Sequence, residues 1–283
     1  REVEDRAPYN QPDGSIDDVR IYNRLLSTAE LRVLAGYHPM QVSTWNVTPA
    51  SSGMKLHYVP EQLGPLANNA DITQWDDISG HSMHLFQGTP GSRPQYAQSG
   101  INNRPAISFT SNRILTRVSC NDTNLGGDNT TIIGAIRQTS NSGANKGLFE
   151  YGQKLIYLNG GASQTLSYVR LAPDEVKITS FPDFINLIAP NPNMIYAVSH
   201  SLAGGAIYKN GSNVTNGTPA TSASQVCSTG LYFGGRNGYD NFEGLFGDFL
   251  YFNTILSSAD RRLAECYLSS KYSVPLDSSV ICD

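Results

Sequence analysis

Charged side chains are scarce in this sequence. Only 16% of the 283 residues are Asp, Glu, Lys or Arg, whereas soluble domains usually carry about a quarter. Serine, asparagine and glycine supply 79 residues, so we expect a polar, weakly charged surface with many turns. The net charge is −4 and no basic run occurs, which argues against a nucleic-acid partner. Because no run of about 18 apolar residues occurs, we also expect no membrane span.

Cysteine is scarce as well, and none of the four cysteines lies in a C-x-x-C pair, which argues against a zinc or redox motif. An even count beside a surface rich in serine and asparagine favours an extracellular or cell-surface location, with four reduced, buried thiols as the alternative. Four cysteines allow three pairings. We favour a bond that joins the C-terminal tail to a predicted helix, which leaves the other two cysteines as a pair. The predicted disulfides are Cys266–Cys282 and Cys120–Cys227.

The start of the sequence carries no positively charged segment followed by an apolar stretch. Any secretion signal must therefore lie outside it. We expect the sequence to be a piece of a longer, processed protein, and a trimmed chain is the simpler alternative.

Two segments resemble each other at an offset of 230 residues. Residues 14–37 and 244–267 are identical at eight of 24 positions, and each predicts a strand followed by a helix. Ser257 is predicted to cap the second helix, and Leu263 and Tyr267 are predicted to lie on its packing face. Two strand–cap–helix units of this kind indicate common descent.

Between these two segments the sequence predicts short strands separated by Asn-Gly and Gly-Gly turns. The predicted strands are Ile107–Thr110, Thr131–Arg137, Leu148–Tyr151, Lys154–Leu158, Thr165–Leu171, Ile195–His200, Ala206–Lys209 and Leu231–Gly234. Short strands with regular turns favour an all-β fold, a two-layer antiparallel β-sandwich over residues 75–271, with a short C-terminal helix.

Residue patterns typical of catalysis are missing. A glycosidase needs two carboxylates that face one bond, and no predicted strand carries Asp or Glu at alternate positions. Asp76 and Asp77 are adjacent, so they point to opposite faces and are better explained by a turn. No G-x-S-x-G motif occurs, and His81 and His84 are too few for a metal site. We therefore predict that the chain is not an enzyme.

The loop at residues 236–242 (RNGYDNF) has the densest mixture of aromatic, amide and charged side chains. Carbohydrate-binding loops use aromatic faces together with polar hydrogen-bonding groups. The predicted ligand-binding residues are Arg236, Asn237, Tyr239, Asp240 and Phe242. The alternative is that Tyr239 or Phe242 packs over the edge of the sheet.

Four segments, in order along the chain, carry a resemblance to a known family. They are residues 74–81 (QWDDISGH), 93–96 (RPQY), 103–109 (NRPAISF) and 248–260 (DFLYFNTILSSAD). Together they resemble the laminin G-like, concanavalin A-like jelly-roll domains of secreted bacterial proteins, over about residues 45–273. The resemblance implies one complete jelly-roll domain at 41–283. It also implies that residues 1–40 are the closing strand and helix of an upstream domain.

Some members of this family bind Ca²⁺ through loops at one edge of the sandwich. Asp128 and Asp240 would be ligands here, because carboxylate oxygens suit calcium. The family often carries aspartates in the turn after the strand that matches residues 107–109, where this chain has Ser111, Asn112 and Arg113. We therefore expect no cofactor, with Ca²⁺ as the alternative.

These features predict a non-catalytic extracellular module of a larger adhesin-type protein, which recognises a glycan or another cell-surface partner. The first alternative is a structural subunit or spacer of a surface fibre or pilus, which self-associates through residues 14–37. The second is an accessory domain of a polysaccharide-degrading enzyme, against which the missing carboxylate pair argues. Residues 14–37 carry apolar side chains that need a sheet to cover them. They would complete an upstream domain, insert into a neighbouring chain, or pack along an edge of the complete domain.

Overall fold

The computed structural model describes most of the chain beyond residue 52. The described residues are 53–110, 112–117, 125, 127–140, 145–152, 154–158, 165–170, 176–180, 193–201, 203–216, 230–236 and 240–282. Residues 1–40 and the predicted Cys120–Cys227 disulfide lie outside these ranges, so both stay predictions. In the part that the structure describes, no helix is both long enough and apolar enough to span a bilayer.

The described chain consists of strands, one α-helix and two short 3-10 helices. The strands are β1 (Met54–Tyr58), β2 (Gln74–Trp75), β3 (Leu85–Phe86), β4 (Gln95–Ile101), β5 (Arg104–Phe109), β6 (Leu115–Arg117), β7 (Thr130–Gln138), β8 (Lys146–Tyr151), β9 (Lys154–Leu158), β10 (Leu166–Arg170), β11 (Val176–Ser180), β12 (Met194–Ser201), β13 (Gly204–Lys209), β14 (Ser212–Asn213), β15 (Thr215–Asn216), β16 (Leu231–Phe233) and β17 (Gly244–Phe252). The helices are α1 (Ser258–Tyr272) and the 3-10 helices Pro60–Leu63 and Pro90–Ser92. Each of the eight predicted strands overlaps an observed one.

These strands form two antiparallel sheets. The first sheet has the order β14-β13-β12-β7-β17-β5-β4, and β1 also pairs with β17. The second has the order β15-β11-β10-β9-β8-β16-β6-β3-β2. The predicted two-layer antiparallel sandwich with a short C-terminal helix is confirmed, although its first strand begins at Met54, before the predicted boundary.

The first sheet is covered on both faces. On β7, Ile132 and Ile136 belong to the core between the sheets, while Ile133 and Ala135 belong to a second core beneath the helix. Alternate side chains of a strand point to opposite faces. This double burial explains why the sequence of β7 is an almost continuous apolar run.

Helix α1 supplies the cover of the first sheet with only part of the predicted face, because Tyr267 packs against the second core as predicted. Ser257 caps it as predicted, because the Ser257 Oγ accepts a hydrogen bond from the Asp260 N–H at 3.1 Å. Leu263, predicted on the packing face, is 48% exposed, so that prediction is wrong. The buried residues of the helix are Arg261, Ala264, Glu265, Leu268 and Tyr272.

The packing face of α1 includes an ion pair. Arg261 and Glu265 are joined by a hydrogen bond and are both buried. The Arg261 guanidinium also lies 3.6 Å from the centre of the Tyr208 ring on β13, a favourable cation–π geometry. Ala264, Leu268 and Tyr272 mark this face by their helical spacing, whereas the burial of Arg261 and Glu265 gives no such signal in the sequence.

A disulfide between Cys266 and Cys282 joins α1 to the C-terminal tail, and this is the pairing that was predicted. The tail also bonds to the turn between β13 and β14, because the Asp277 N–H donates to the Asn210 carbonyl at 2.8 Å.

Candidate functional site

The predicted ligand-binding loop lies between β16 and β17, at one end of the sandwich. The Phe242 N–H donates to the Gly234 carbonyl at 2.9 Å and closes the loop. Gly234 has a φ of 75°, and an added Cβ there would lie 2.0 Å from the Phe109 ring. Only glycine fits at this position, so the start of the loop is fixed by the backbone.

Phe242 anchors the loop in the core. Its side chain is fully buried, and its ring centre lies 5.0 Å from that of Phe246 at an interplanar angle of 68°. It therefore cannot offer a face to a ligand, and its prediction as a ligand-binding residue is wrong. The alternative, that this ring packs inside the sheet edge, is the one that the structure supports.

The opposite side of the loop rests on β8. The Gly147 N–H donates to the Asp240 carbonyl, and an added Cβ at Gly147 would lie 3.0 Å from the Gly235 carbonyl carbon. This close approach holds Asp240 beside Arg236. Their side chains are 30% and 35% exposed, and the Arg236 Nη1 lies 4.0 Å from the Asp240 Oδ2. The ion pair is long and open to solvent.

Two further polar pairs are formed by residues next to Asp240 or Gly147 in the chain. The Asn241 Nδ2 donates to the Asn112 Oδ1 at 3.3 Å. The Lys146 Nζ lies 3.2 Å from the Glu243 Oε1. A hydrogen bond from Ser140, together with Lys146, lowers the pKa of Glu243, so this carboxylate is ionised at neutral pH. We call this group the loop-end site: Asn112, Lys146, Arg236, Asp240, Asn241 and Glu243.

The loop-end site combines one accessible guanidinium with two surface amides. Amides supply both donors and acceptors, and a guanidinium can hold a carboxylate through two parallel hydrogen bonds. Such groups suit a ligand with hydroxyls and a carboxylate. Asn237 and Tyr239 lie outside the described residues, so their roles stay predictions. Sequence reasoning missed Lys146 and Glu243, which no motif marks.

The two predicted calcium ligands lie far apart. Asp240 is next to Gly147 and close in sequence to Gly244, which pairs with Gln138 at the end of β7. Asp128 precedes the start of β7, and a nine-residue strand is about 26 Å long. The two aspartates therefore could not bind the same ion. Across the described ranges, no three His, Cys, Asp or Glu side chains converge on one point, and calcium binding stays a prediction.

The adjacent aspartates form a turn, as their spacing indicated. Asp77 is buried and accepts hydrogen bonds from the N–H groups of His57 and Ser79 at 3.0 Å. Asp76 lies on the other side, where its carboxylate is 3.1 Å from His84. The pair therefore shapes the backbone and does not face a common bond.

A second polar cluster lies under α1, and its members are all engaged with each other. We call it the helix network: Glu61, Asp248, Tyr267, Lys271 and Tyr272. Asp248 is fully buried and accepts hydrogen bonds from the tyrosine hydroxyls at 2.6 and 2.7 Å. The Lys271 Nζ donates to Asp248 at 2.6 Å and to Glu61 at 2.7 Å. Burial raises the pKa of both tyrosines and of Glu61.

Comparison with known proteins finds similarity of fold only. No family model matches the chain, and no curated protein matches its sequence. Among solved structures it is similar to the binding domain of paraclostridial mosquitocidal protein 1, with 16% identity and a TM-score of 0.57 over 77% of this chain and 53% of that chain.

Two other similar structures come from botulinum neurotoxins. One is the serotype D ligand-binding domain in complex with N-acetylneuraminic acid, with 14% identity and a TM-score of 0.54 over 77% of this chain and 51% of that chain. The other is from a study of type C cell entry through two ganglioside molecules, with 15% identity and a TM-score of 0.53 over 78% of this chain and 52% of that chain. This chain spans about half the length of these structures.

Proposed function

We propose that the chain is a non-catalytic glycan-binding module, and that its loop-end site binds an acidic sugar of a cell surface. The fold supports this, because similar structures are binding domains, one of them in complex with N-acetylneuraminic acid. The observation that carries the proposal is the exposed and loosely paired Arg236.

The distance between Arg236 and Asp240 matters for this proposal. At 4.0 Å the two groups are barely in contact, and exposed pairs of this kind contribute about 0–1 kcal/mol. A sugar carboxylate can therefore approach the guanidinium without first breaking a strong bond, and form two charge-assisted hydrogen bonds. Asn241 follows Asp240 in the chain and bonds to Asn112, and the amides of this second pair can bond to sugar hydroxyls.

A glycan array followed by titration of the best ligand tests this proposal. We expect sialylated glycans to bind, and Arg236→Ala to weaken binding about tenfold or more. Arg236→Lys should recover only part of the affinity, because lysine lacks the planar fork. Arg262→Ala is the matched control, since Arg262 is an exposed arginine on α1. If no sialylated glycan binds, or if both alanine variants bind equally well, the proposal is wrong.

The wider setting is also proposed: a laminin G-like domain within a larger, extracellular adhesin-type protein. A subunit of a surface fibre is the second candidate, and the internal repeat fits both settings. Asp248 and Tyr267 join strand to helix through a hydrogen bond, and Asp18 and Tyr37 occupy the same positions in residues 14–37.

Deleting residues 1–40 tests the fibre candidate. If the strand in residues 14–37 inserts into a neighbouring chain, the truncated protein should form smaller assemblies by light scattering. An unchanged oligomeric state with an unchanged Tm would rule out strand exchange. The remaining alternative, an accessory domain of a polysaccharide-degrading enzyme, predicts a neutral polysaccharide as ligand and no turnover.

A further inference from the structure

The outer face of the second sheet carries a row of side chains that the loop-end site does not use. The strand register places Gln74 opposite Phe86, Phe86 opposite Thr116, and Thr116 opposite Tyr232. Their chain neighbours, among them Trp75 and the other core residues of these strands, point inward. Because side chains alternate along a strand, the four residues of the row face away from the first sheet. We call Gln74, Phe86, Thr116 and Tyr232 the sheet-face row.

The sheet-face row is open, aromatic and uncharged. Phe86 is 45% exposed, Tyr232 is half-buried and Gln74 is exposed. The buried Thr116 hydroxyl has no hydrogen-bond partner among the described residues. The row ends at Glu150, which pairs with Tyr232 and is buried.

The spacing of the two rings is set by the sheet. Phe86 and Tyr232 lie on β3 and β16, with β6 between them. Adjacent strands are about 4.8 Å apart, so the two side chains are about 10 Å apart. That separation is close to the spacing of alternate sugar rings in an extended glycan chain. Aromatic rings pack against the apolar faces of sugars, and a tyrosine adds a polar group at its rim.

We propose that the sheet-face row binds an uncharged polysaccharide chain that lies across the strands. The two rings would pack against the apolar faces of alternate sugars. The Thr116 hydroxyl between them is buried and would not contact the ligand. The ligand is uncharged because none of the four side chains carries a charge, and Asp76, the carboxylate beside the row, is already bonded to Gln74 and His84.

A protein partner is a poorer match to this face. A stable protein–protein interface buries about 800 Å² on each side around an apolar centre. The other large apolar side chains that are strongly exposed in the described chain are Ile255, Leu263 and Ile281. All three follow β17, in the segment of α1 and its flanks, so Phe86 does not belong to a contiguous apolar patch.

Affinity gel electrophoresis tests the sheet-face row, with hydroxyethyl cellulose, galactomannan, mixed-linkage β-glucan, xylan and soluble starch as probes. We expect at least one polymer to retard the protein. Phe86→Ala and Tyr232→Ala should each raise the Kd for that polymer about tenfold or more. Leu263→Ala is the matched control, because it removes an equally exposed apolar side chain from α1.

Several outcomes would overturn the proposal. One is that no polymer retards the protein. Another is that the Phe86→Ala variant is retarded as strongly as the unmodified protein. A third is that Phe86→Ala abolishes self-association of the protein and leaves its retardation by the polymer unchanged. Tyr232 is only half-exposed, so its replacement can unfold the protein. If circular dichroism shows that Tyr232→Ala is unfolded, the result for Phe86→Ala alone tests the proposal.

The inference rests on the proposed function in that the module binds glycans. If sialylated glycans bind and no neutral polymer does, only the proposal for the sheet-face row is rejected. If a neutral polymer binds and no sialylated glycan does, only the proposal for the loop-end site is rejected.

Discussion

The helix network and the loop-end site each contain a cation, and the two cations differ in burial and in their distance from carboxylates. In the helix network the Lys271 Nζ lies 2.6 and 2.7 Å from two carboxylates, and its side chain is only 13% exposed. In the loop-end site the Arg236 guanidinium is 4.0 Å from one carboxylate, and its side chain is 35% exposed. One cation is committed to the fold, whereas the other is available to a ligand.

Solvent explains the difference. A charge removed from water must be paired and fully hydrogen-bonded, or the protein loses stability. Asp248 meets this condition with three side-chain donors. A charge at the surface keeps its hydration, so a loose partner costs little. Tight, buried polar clusters of this chain are therefore expected to stabilise it, and loose, exposed ones are where a ligand would be recognised.

The largest expected effect comes from breaking the helix network. Asp248→Ala removes the acceptor of Lys271 and of two tyrosine hydroxyls, and leaving buried partners unpaired costs about 3–5 kcal/mol. Chemical denaturation measures the free energy of unfolding. Arg236→Ala in the loop-end site is the control and should change it by about 0.5 kcal/mol or less. Equal effects of the two variants would remove the distinction between the two regions.

Phe242 belongs to the same loop as Arg236 but is buried, so it compares a buried and an accessible residue within one segment. Phe242→Ala should lower the free energy of unfolding by about 3–5 kcal/mol, because it opens a cavity in the main core. Leu263→Ala, at a residue that is 48% exposed, should cost about 0.5 kcal/mol or less. Loss of glycan binding by a Phe242→Ala protein of unchanged stability would show that this ring contacts the ligand after all.

The disulfide between α1 and the tail has the next largest expected effect. Cys266 and Cys282 are 16 residues apart in sequence, and closing a loop of about 15 residues contributes about 3 kcal/mol. Replacing both cysteines by serine should lower the Tm, and reduction of the unmodified protein should lower it by more, because the predicted Cys120–Cys227 disulfide is then broken as well. Reduction should also lower the Tm of the double variant, and an unchanged Tm there would contradict the Cys120–Cys227 prediction.

His57 lies near the helix network and gives the stability of the protein a pH dependence. Burial lowers the pKa of His57 from 6.5 to about 4, with opposing effects of Asp248 and Lys271, and neither ring nitrogen has a hydrogen-bond partner among the described residues. The unfolded chain therefore takes up a proton between pH 6.5 and about 4 that the folded chain does not. Stability should fall over this window as the pH drops, by up to about 3 kcal/mol.

His57→Leu isolates this contribution. Burial raises the pKa of Glu61 and of Glu265, which favours the folded state in acid and opposes the effect of His57. Both the unmodified protein and the His57→Leu variant contain these carboxyl groups, so their contribution cancels when the two curves of Tm against pH are compared. The leucine variant should lose less stability between pH 6.5 and 4 than the unmodified protein. Parallel curves would show that His57 is protonated equally in the folded and unfolded chains.

Local sequence was enough for most of the longer strands. Runs of β-branched and aromatic residues between turn residues identified Lys154–Leu158 with its observed boundaries. The capping serine of α1 was also predictable, since its partner Asp260 is three residues away. The short strands β2 and β6 were not predicted, because so few residues show no period and the strand that pairs with β6 lies far away in sequence.

The sequence by itself determined the class of the fold, the C-terminal strand–helix unit and the disulfide of its tail, because each depends on patterns within a few or a few tens of residues. Tertiary structure alone decided that the charged Arg261 and Glu265 lie on the buried side of α1 and that Phe242 belongs to the core. It also placed Gly147 against Asp240 and Asn112 against Asn241, since the members of each pair are far apart in the sequence. Burial is set by what packs against a side chain, and here the packing partners lie far apart in the sequence.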